Sequence, residues 1–150
     1  MKVVQILSSA VLAVAALGAV GSAQAQMTPV GLWKTIDDDG KTEKSLVRIT
    51  EKDGALSGVV EKVFDPSKQD SKCDQCTDER KDKLVLGMTI IRNVRQDAGD
   101  KEVWTGGEIL DPNNGKTYKT RLKPVDGGKT IQMRGYIGFF YRTQIWHRVE

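Results

Sequence analysis

Eight short runs rich in Val, Ile, Thr and aromatic residues, each bounded by Gly, Asp or Asn, set the limits on what this chain can fold into. Leu32 to Ile36 comes first and is ended by Asp37-Asp38-Asp39-Gly40. Ser45 to Glu51 follows, with Val47 and Ile49 on one face, and the turn Lys52-Asp53-Gly54 leads into Ala55 to Phe64 to complete a hairpin. Strands resume at Leu86 to Arg95, Glu102 to Leu110, Thr117 to Pro124, Thr130 to Tyr136 and Phe140 to Val149. The clusters between them, Asp97 to Asp100, Asp111 to Gly115, Asp126-Gly127-Gly128 and Gly138, are residue types that make hairpin turns. No segment behind the amino-terminal stretch keeps helical spacing over a dozen positions, and at most a short helical turn is expected near Asp78 to Lys83. Sequential strands with short turns predict an all-β fold, an antiparallel up-and-down barrel of about eight strands, because closure removes exposed edges. Such a barrel either fills its interior with side chains or encloses one small ligand.

The amino terminus reads differently. Lys2 precedes an apolar stretch from Val3 to Val20, and Gly21-Ser22-Ala23-Gln24-Ala25 ends in the small residues a signal peptidase requires. The expectation is a signal peptide over residues 1–25, cleaved after Ala25, and a single domain over 26–150 in the periplasm or outside the cell. Without a cysteine at that junction a lipid anchor is not expected, and without a second long apolar run no transmembrane anchor is expected after processing. The net charge is +3, with acidic and basic residues interspersed, so no nucleic-acid partner is expected.

Between the third and fourth strands, Asp65 to Lys83 is polar, carries Pro66, and has no period of either kind, so it should leave the sheet as a long loop. It holds the only cysteines, Cys73 and Cys76, which export would bring to an oxidising compartment and there pair as a disulfide. A redox role is disfavoured because Asp74, Asp78 and Glu79 oppose thiolate formation. A ring this small contributes at most about 2 kcal/mol, so the bond should pin the loop and the barrel should survive its loss. No metal site is expected, since His147 is the single histidine and the Asp37-Asp38-Asp39-Gly40 turn lacks the ligand spacing of a calcium loop. No cofactor motif and no Gly-x-Ser-x-Gly occur, and Glu61, Glu102, Glu108 and Asp111, though on or beside strands, are assigned to half-exposed surfaces. No catalytic residue is named, and the chain is expected not to be an enzyme.

The last two strands carry the most suggestive pattern. Two-residue alternation puts Arg134 with Tyr136, and Arg142 with Gln144, Trp146 and Arg148, on common faces. With Trp104, this makes Trp104, Arg134, Tyr136, Arg142 and Trp146 the candidate ligand-binding residues. The same alternation also fits a solvent face, with Ile131, Met133, Ile137 and Ile145 turned inward, and that plainer assignment is preferred.

Several segments form a familiar set: Gly31-Leu32-Trp33, Asp53-Gly54, Cys73-x-x-Cys76 running into Glu79-Arg80-Lys81-Asp82, and Leu86-Gly87-Met88. Gly107 to Pro112, Gly115-Lys116-Thr117-Tyr118, Arg134 to Gly138 and Thr143-x-x-Trp146-x-Arg148 complete it. Taken together they resemble the bacterial exported family known as domain of unknown function 2147. The resemblance implies an exported protein with a lipocalin-like or calycin-like barrel and no established activity. Gly31-x-Trp33 also looks like the opening of a lipocalin's first strand, which implies a structural plug in which Arg142 or Arg148 packs across Trp33; the plainer reading, which is preferred, makes Trp33 a core residue. The function expected is binding of a small hydrophobic or amphipathic molecule in or at the mouth of the barrel. The alternative is an envelope interaction module that engages a protein partner through the Asp65 to Lys83 loop.

Overall fold

Buried and less buried residues alternate along residues 55–60 and 120–125, which gives those strands an inner and an outer face, while adjacent buried pairs such as Leu32-Trp33 and Ile90-Ile91 break the alternation elsewhere. The computed structural model describes residues 27–150; the expected signal peptide and its cleavage site lie outside them. The strands are β1 (Gly31–Ile36), β2 (Glu43–Lys52), β3 (Ala55–Val63), β4 (Thr89–Gln96), β5 (Trp104–Asp111), β6 (Lys116–Val125), β7 (Thr130–Ile137) and β8 (Phe140–Arg148). Each pairs antiparallel with the next, and β8 returns to β1 through Trp33 opposite Arg148 and Lys34 opposite His147, closing the barrel. The expected eight-stranded up-and-down architecture is therefore the one observed. Asp53 and Gly54, both at positive φ, make the tight β2–β3 turn that their residue types demand.

Local differences have local causes. The chain reaches β4 only at Thr89, because Leu86 and Gly87 spend themselves on a bend that hydrogen-bonds to Val60. No helix forms at Asp78 to Lys83, where single turn bonds from Lys81 N to Asp78 O and Lys83 N to Arg80 O suffice. The short helical turn of this loop lies instead at Pro66–Lys68, started by the Asp65 carboxylate accepting from Ser67 N.

One end of the barrel is solid. Trp33, Ile49, Leu56, Val94, Leu122 and Ile131 are fully buried there. The Trp33 indole donates to Pro29 O at 2.7 Å, and the Arg148 guanidinium lies 4.2 Å from the centre of its ring. Arg148 also donates to the carbonyls of Gly128, Val30 and Thr28 at 2.6, 2.8 and 2.6 Å, tying the segment before β1 to the turn before β7. Burial pulls the pKa of this guanidinium below its ordinary value.

The faces of the last two strands need correction. Trp146, Gln144 and Arg142 point inward on β8, as do Ile131 and Met133 on β7, whereas Arg134 and Tyr136 point outward and Ile145 is 41% exposed. Alternation fixes parity within a strand but not between strands. The turn at Gly138 and Phe139 has two residues, so Gly135 pairs with Arg142 and Arg134 with Thr143. An even-numbered residue of β7 thus shares its face with an odd-numbered residue of β8, which splits the group that shared parity in the sequence.

Candidate functional site

At the other end the interior is not filled. A cavity of about 250 Å³ opens among Val60 and Val63 of β3, Ile90 of β4, Ile109 of β5, Met133 of β7 and Trp146 of β8. Val60 and Val63 have opposite parity yet both face inward. A bulge opposite Leu46 and Val47 absorbs one residue, so that Val60 pairs with Val47 and Val63 with Ser45. Polar groups ring the mouth in pairs. Thr35 and Ser45 share a hydroxyl hydrogen bond of 2.8 Å. The Trp146 indole donates to Gln144 at 2.9 Å, Gln144 donates to the Asp38 carboxylate at 2.7 Å, and Arg142 donates to the same carboxylate at 2.6 Å. Arg142 stacks 5.6 Å over the Tyr118 ring and stands 3.7 Å from Asp111. The rim is thus a broad polar band, in which Arg142 is compensated by Asp38 and Asp111, above the apolar side chains deeper in the cavity.

The long loop covers one side of this mouth. Its strands cross-bond between Lys72 and Leu84, and Cys73 exchanges backbone hydrogen bonds with Lys83 and Asp82. The Cys73–Cys76 disulfide is formed and both cysteines are buried, 0% and 3% exposed, against the core. Arg80 is 4% exposed: it grips the Asp78 carboxylate, donates to Thr89 O at 3.0 Å and lies 3.6 Å from Glu108. Hydrogen bonds from Arg80 hold the Asp78 carboxyl at about 2, well below its usual range. Glu79 is paired with Arg92 of β4, which anchors the loop a second time. Ser71 and Val85 of the loop line the cavity.

Because the disulfide sits under this cover and not in a strand, its loss should act on the loop first. In Cys73→Ala with Cys76→Ala we expect about 2 kcal/mol less stability in urea unfolding. Amide exchange should accelerate over 71–85 and stay slow in β6 and β7; faster exchange throughout the barrel would mean the bond supports the whole fold.

Of the residues named from sequence, Arg142 and Trp146 line the cavity. Trp104 is buried opposite Leu122 in the solid half, and Arg134 and Tyr136 lie on the outer face of β7. Trp33 and Arg148 stack at the closed end. The sequence reading missed Asp38, placed there in a solvated turn, and Tyr118, whose inward parity on β6 was readable beside Thr120 and Leu122. The other carboxylates raised by sequence are each near a cation: Glu61 with Arg48, Glu102 with Lys123, Glu108 with Arg80 and Asp111 with Arg142. His147 is exposed, and no cluster of metal-ligating side chains occurs among the described residues. None of their helices is long and apolar enough to cross a membrane.

An eight-stranded antiparallel barrel, packed at one end by a Trp–Arg stack and hollow at the other, is a lipocalin-like fold. A solved structure of like shape is HP1028 of the human pathogen Helicobacter pylori, described as belonging to the lipocalin family. It superposes with a TM-score of 0.68 at 19% identity, over 81% of this chain and 82% of that one, a likeness of fold. Residues 31–148 match the family of uncharacterised proteins conserved in bacteria designated DUF2147, and the chain belongs to that family. A search of curated protein sequences finds no match.

Proposed function

We propose that this protein is a non-enzymatic binding module, exported by removal of residues 1–25 to the periplasm or beyond, that takes one small hydrophobic or amphipathic molecule into the open half of its barrel. The observation that carries the reading is the contrast between the two halves of one interior. The closed half is filled with Trp33, Ile49, Leu56 and Leu122, while the open half leaves about 250 Å³ walled by Val60, Val63, Ile90 and Ile109. A concave site that joins an apolar wall to polar groups able to orient a guest is a usual form of small-molecule site, and here polar and apolar side chains share the lining about equally. The Asp38–Arg142–Gln144 band supports an amphipathic guest whose apolar part lies inside and whose polar part meets the rim.

Native mass spectrometry of protein purified without refolding tests this first, with a stoichiometric adduct that denaturation removes as the expected result. Val63→Trp supplies the second test, since an indole at Val63 would occupy the chamber. It should weaken binding of the apolar probe N-phenyl-1-naphthylamine by about tenfold or more, which corresponds to roughly 1.4 kcal/mol. Wild-type protein with neither adduct nor probe binding, or a folded Val63→Trp variant that binds the probe as wild type does, would overturn the reading.

A further inference from the structure

Charge is interspersed along most of the chain but not along its last strands. From Lys116 to Arg148 eight Lys and Arg residues stand against one acid, Asp126. Alternation turns Lys119, Arg121 and Lys123 of β6 and Arg134 of β7 outward, because Thr120, Leu122 and Met133 between them are buried. Arg121 and Arg134 are direct cross-strand partners. Like charges in that position lower stability, so the pair invites an anion from outside.

Among the described residues, no carboxylate reaches ion-pair distance of Lys119, Arg121 or Arg134, and only Lys123 has one, Glu102 at 3.6 Å. Glu108, the ladder partner of Lys119, is 3.6 Å from Arg80. Arg134 is held in place by Thr143 at 3.0 Å and lies 4.3 Å over the Tyr141 ring.

The same wall ends in the β7–β8 turn, where large apolar side chains stand in water. Phe139 is 102% exposed, Phe140 78%, and Ile137 and Tyr141 flank them, also exposed. Adjacent exposed apolar residues of this size mark an interaction site. Their position beside unpaired cations chooses the partner. A polyanion in solution would use the guanidinium groups and leave the phenylalanines in water. A second copy joined tip to tip would bring one basic wall against another. A bilayer with anionic headgroups satisfies both features, since its acyl boundary takes the aromatic tip and its phosphates take the cations.

We infer that the β6–β8 wall is a docking surface for an anionic lipid bilayer, with Phe139 and Phe140 inserted at the acyl boundary and Lys119, Arg121 and Arg134 over the headgroups. The β7–β8 turn lies at the same end of the barrel as the cavity mouth, so the docked molecule would hold that mouth close to the lipid. The docking stands independently of whether the cavity is occupied.

Flotation of the purified protein with vesicles tests the inference. Vesicles of phosphatidylethanolamine with phosphatidylglycerol should carry the protein upward, high salt should release it, and vesicles of phosphatidylcholine alone should leave it behind. Phe139→Ser with Phe140→Ser should lower partitioning by about tenfold or more. Arg121→Glu should lower it by about fivefold or more. Both variants change exposed or half-exposed positions and should melt as wild type does, which separates lost docking from lost folding. Equal partitioning to neutral and anionic vesicles would overturn the inference. So would retention on heparin together with undiminished vesicle binding by the phenylalanine variant, which would identify a polyanion surface. A wild-type dimer in sedimentation that the phenylalanine variant converts to monomer would assign the tip to self-association and overturn it equally.

Discussion

Trp33→Ala should be among the most damaging substitutions in the barrel, with an expected loss of about 3–5 kcal/mol in denaturant unfolding. The indole is wholly buried, fills the closed end, and donates to Pro29 O. Its removal leaves a cavity that the surrounding strands, fixed in a closed ladder, can collapse only in part. For a domain of this size, a melting point lower by roughly 10–20 °C is expected. Arg148→Met should also destabilise, because three backbone carbonyls lose a charged donor at once. A double-mutant cycle between the two positions isolates the stacking itself, whose coupling should be about 0.5–2 kcal/mol. A Trp33→Ala loss below about 1 kcal/mol, ordinary for a surface change, would mean that the indole does not close the barrel.

Gly115→Ala should produce the second large effect, and its control is built into the same chain. Gly115 ends the β5–β6 turn at φ +71°, and a Cβ there would lie 2.1 Å from Gln75 O and 2.6 Å from Cys76 N. Both neighbours are backbone atoms of the loop that covers the cavity, so no side chain can swing aside and the loop itself must lift. Gly40 has the same φ of +71° and nothing within 4 Å. Gly40→Ala should therefore cost only the left-handed strain, about 1–2 kcal/mol, whereas Gly115→Ala should cost about 1–3 kcal/mol more through overpacking. Amide exchange at Cys73 and Asp82, whose hydrogen bonds close the loop, should quicken in Gly115→Ala and not in Gly40→Ala. Equal losses in the two variants would show that the loop does not rest on the β5–β6 turn.

The turns were the legible part of the fold. Asp53-Gly54, Asp126-Gly127-Gly128 and the cluster ending at Gly115 fall where the chain reverses, and backbone chemistry alone requires them there. With eight strands counted off by such turns, closure followed from the need to pair the edges. The cavity was legible only in part, because its walls depend on how strands are registered against one another. One bulge between β2 and β3 turns both Val60 and Val63 inward, and one two-residue turn sends Arg142 inside and Arg134 outside; neither offset can be read within a single strand. Asp38 was hidden for another reason. It looks like any acidic turn residue until β8, about a hundred positions later, is folded beside it. The basic wall of β6 to β8 was concealed by the balance of the whole chain, in which acids of the turns and loops before Lys116 offset it.

The closure between β1 and β8 also determines when this molecule becomes a barrel. Seven ladders join strands that follow one another in sequence and can zip as soon as each hairpin is made. The eighth joins strands more than a hundred residues apart and has only two ladder pairs, against eight between β7 and β8. A contact of that sequence separation carries its loop entropy up front and forms late. Until β8 arrives, the chain is a curved open sheet with two free edges, the form most prone to pair with a neighbour. The shortness of β1 limits one of those edges to six residues, and Arg148, reaching across to Thr28 and Val30, ends the exposure of both.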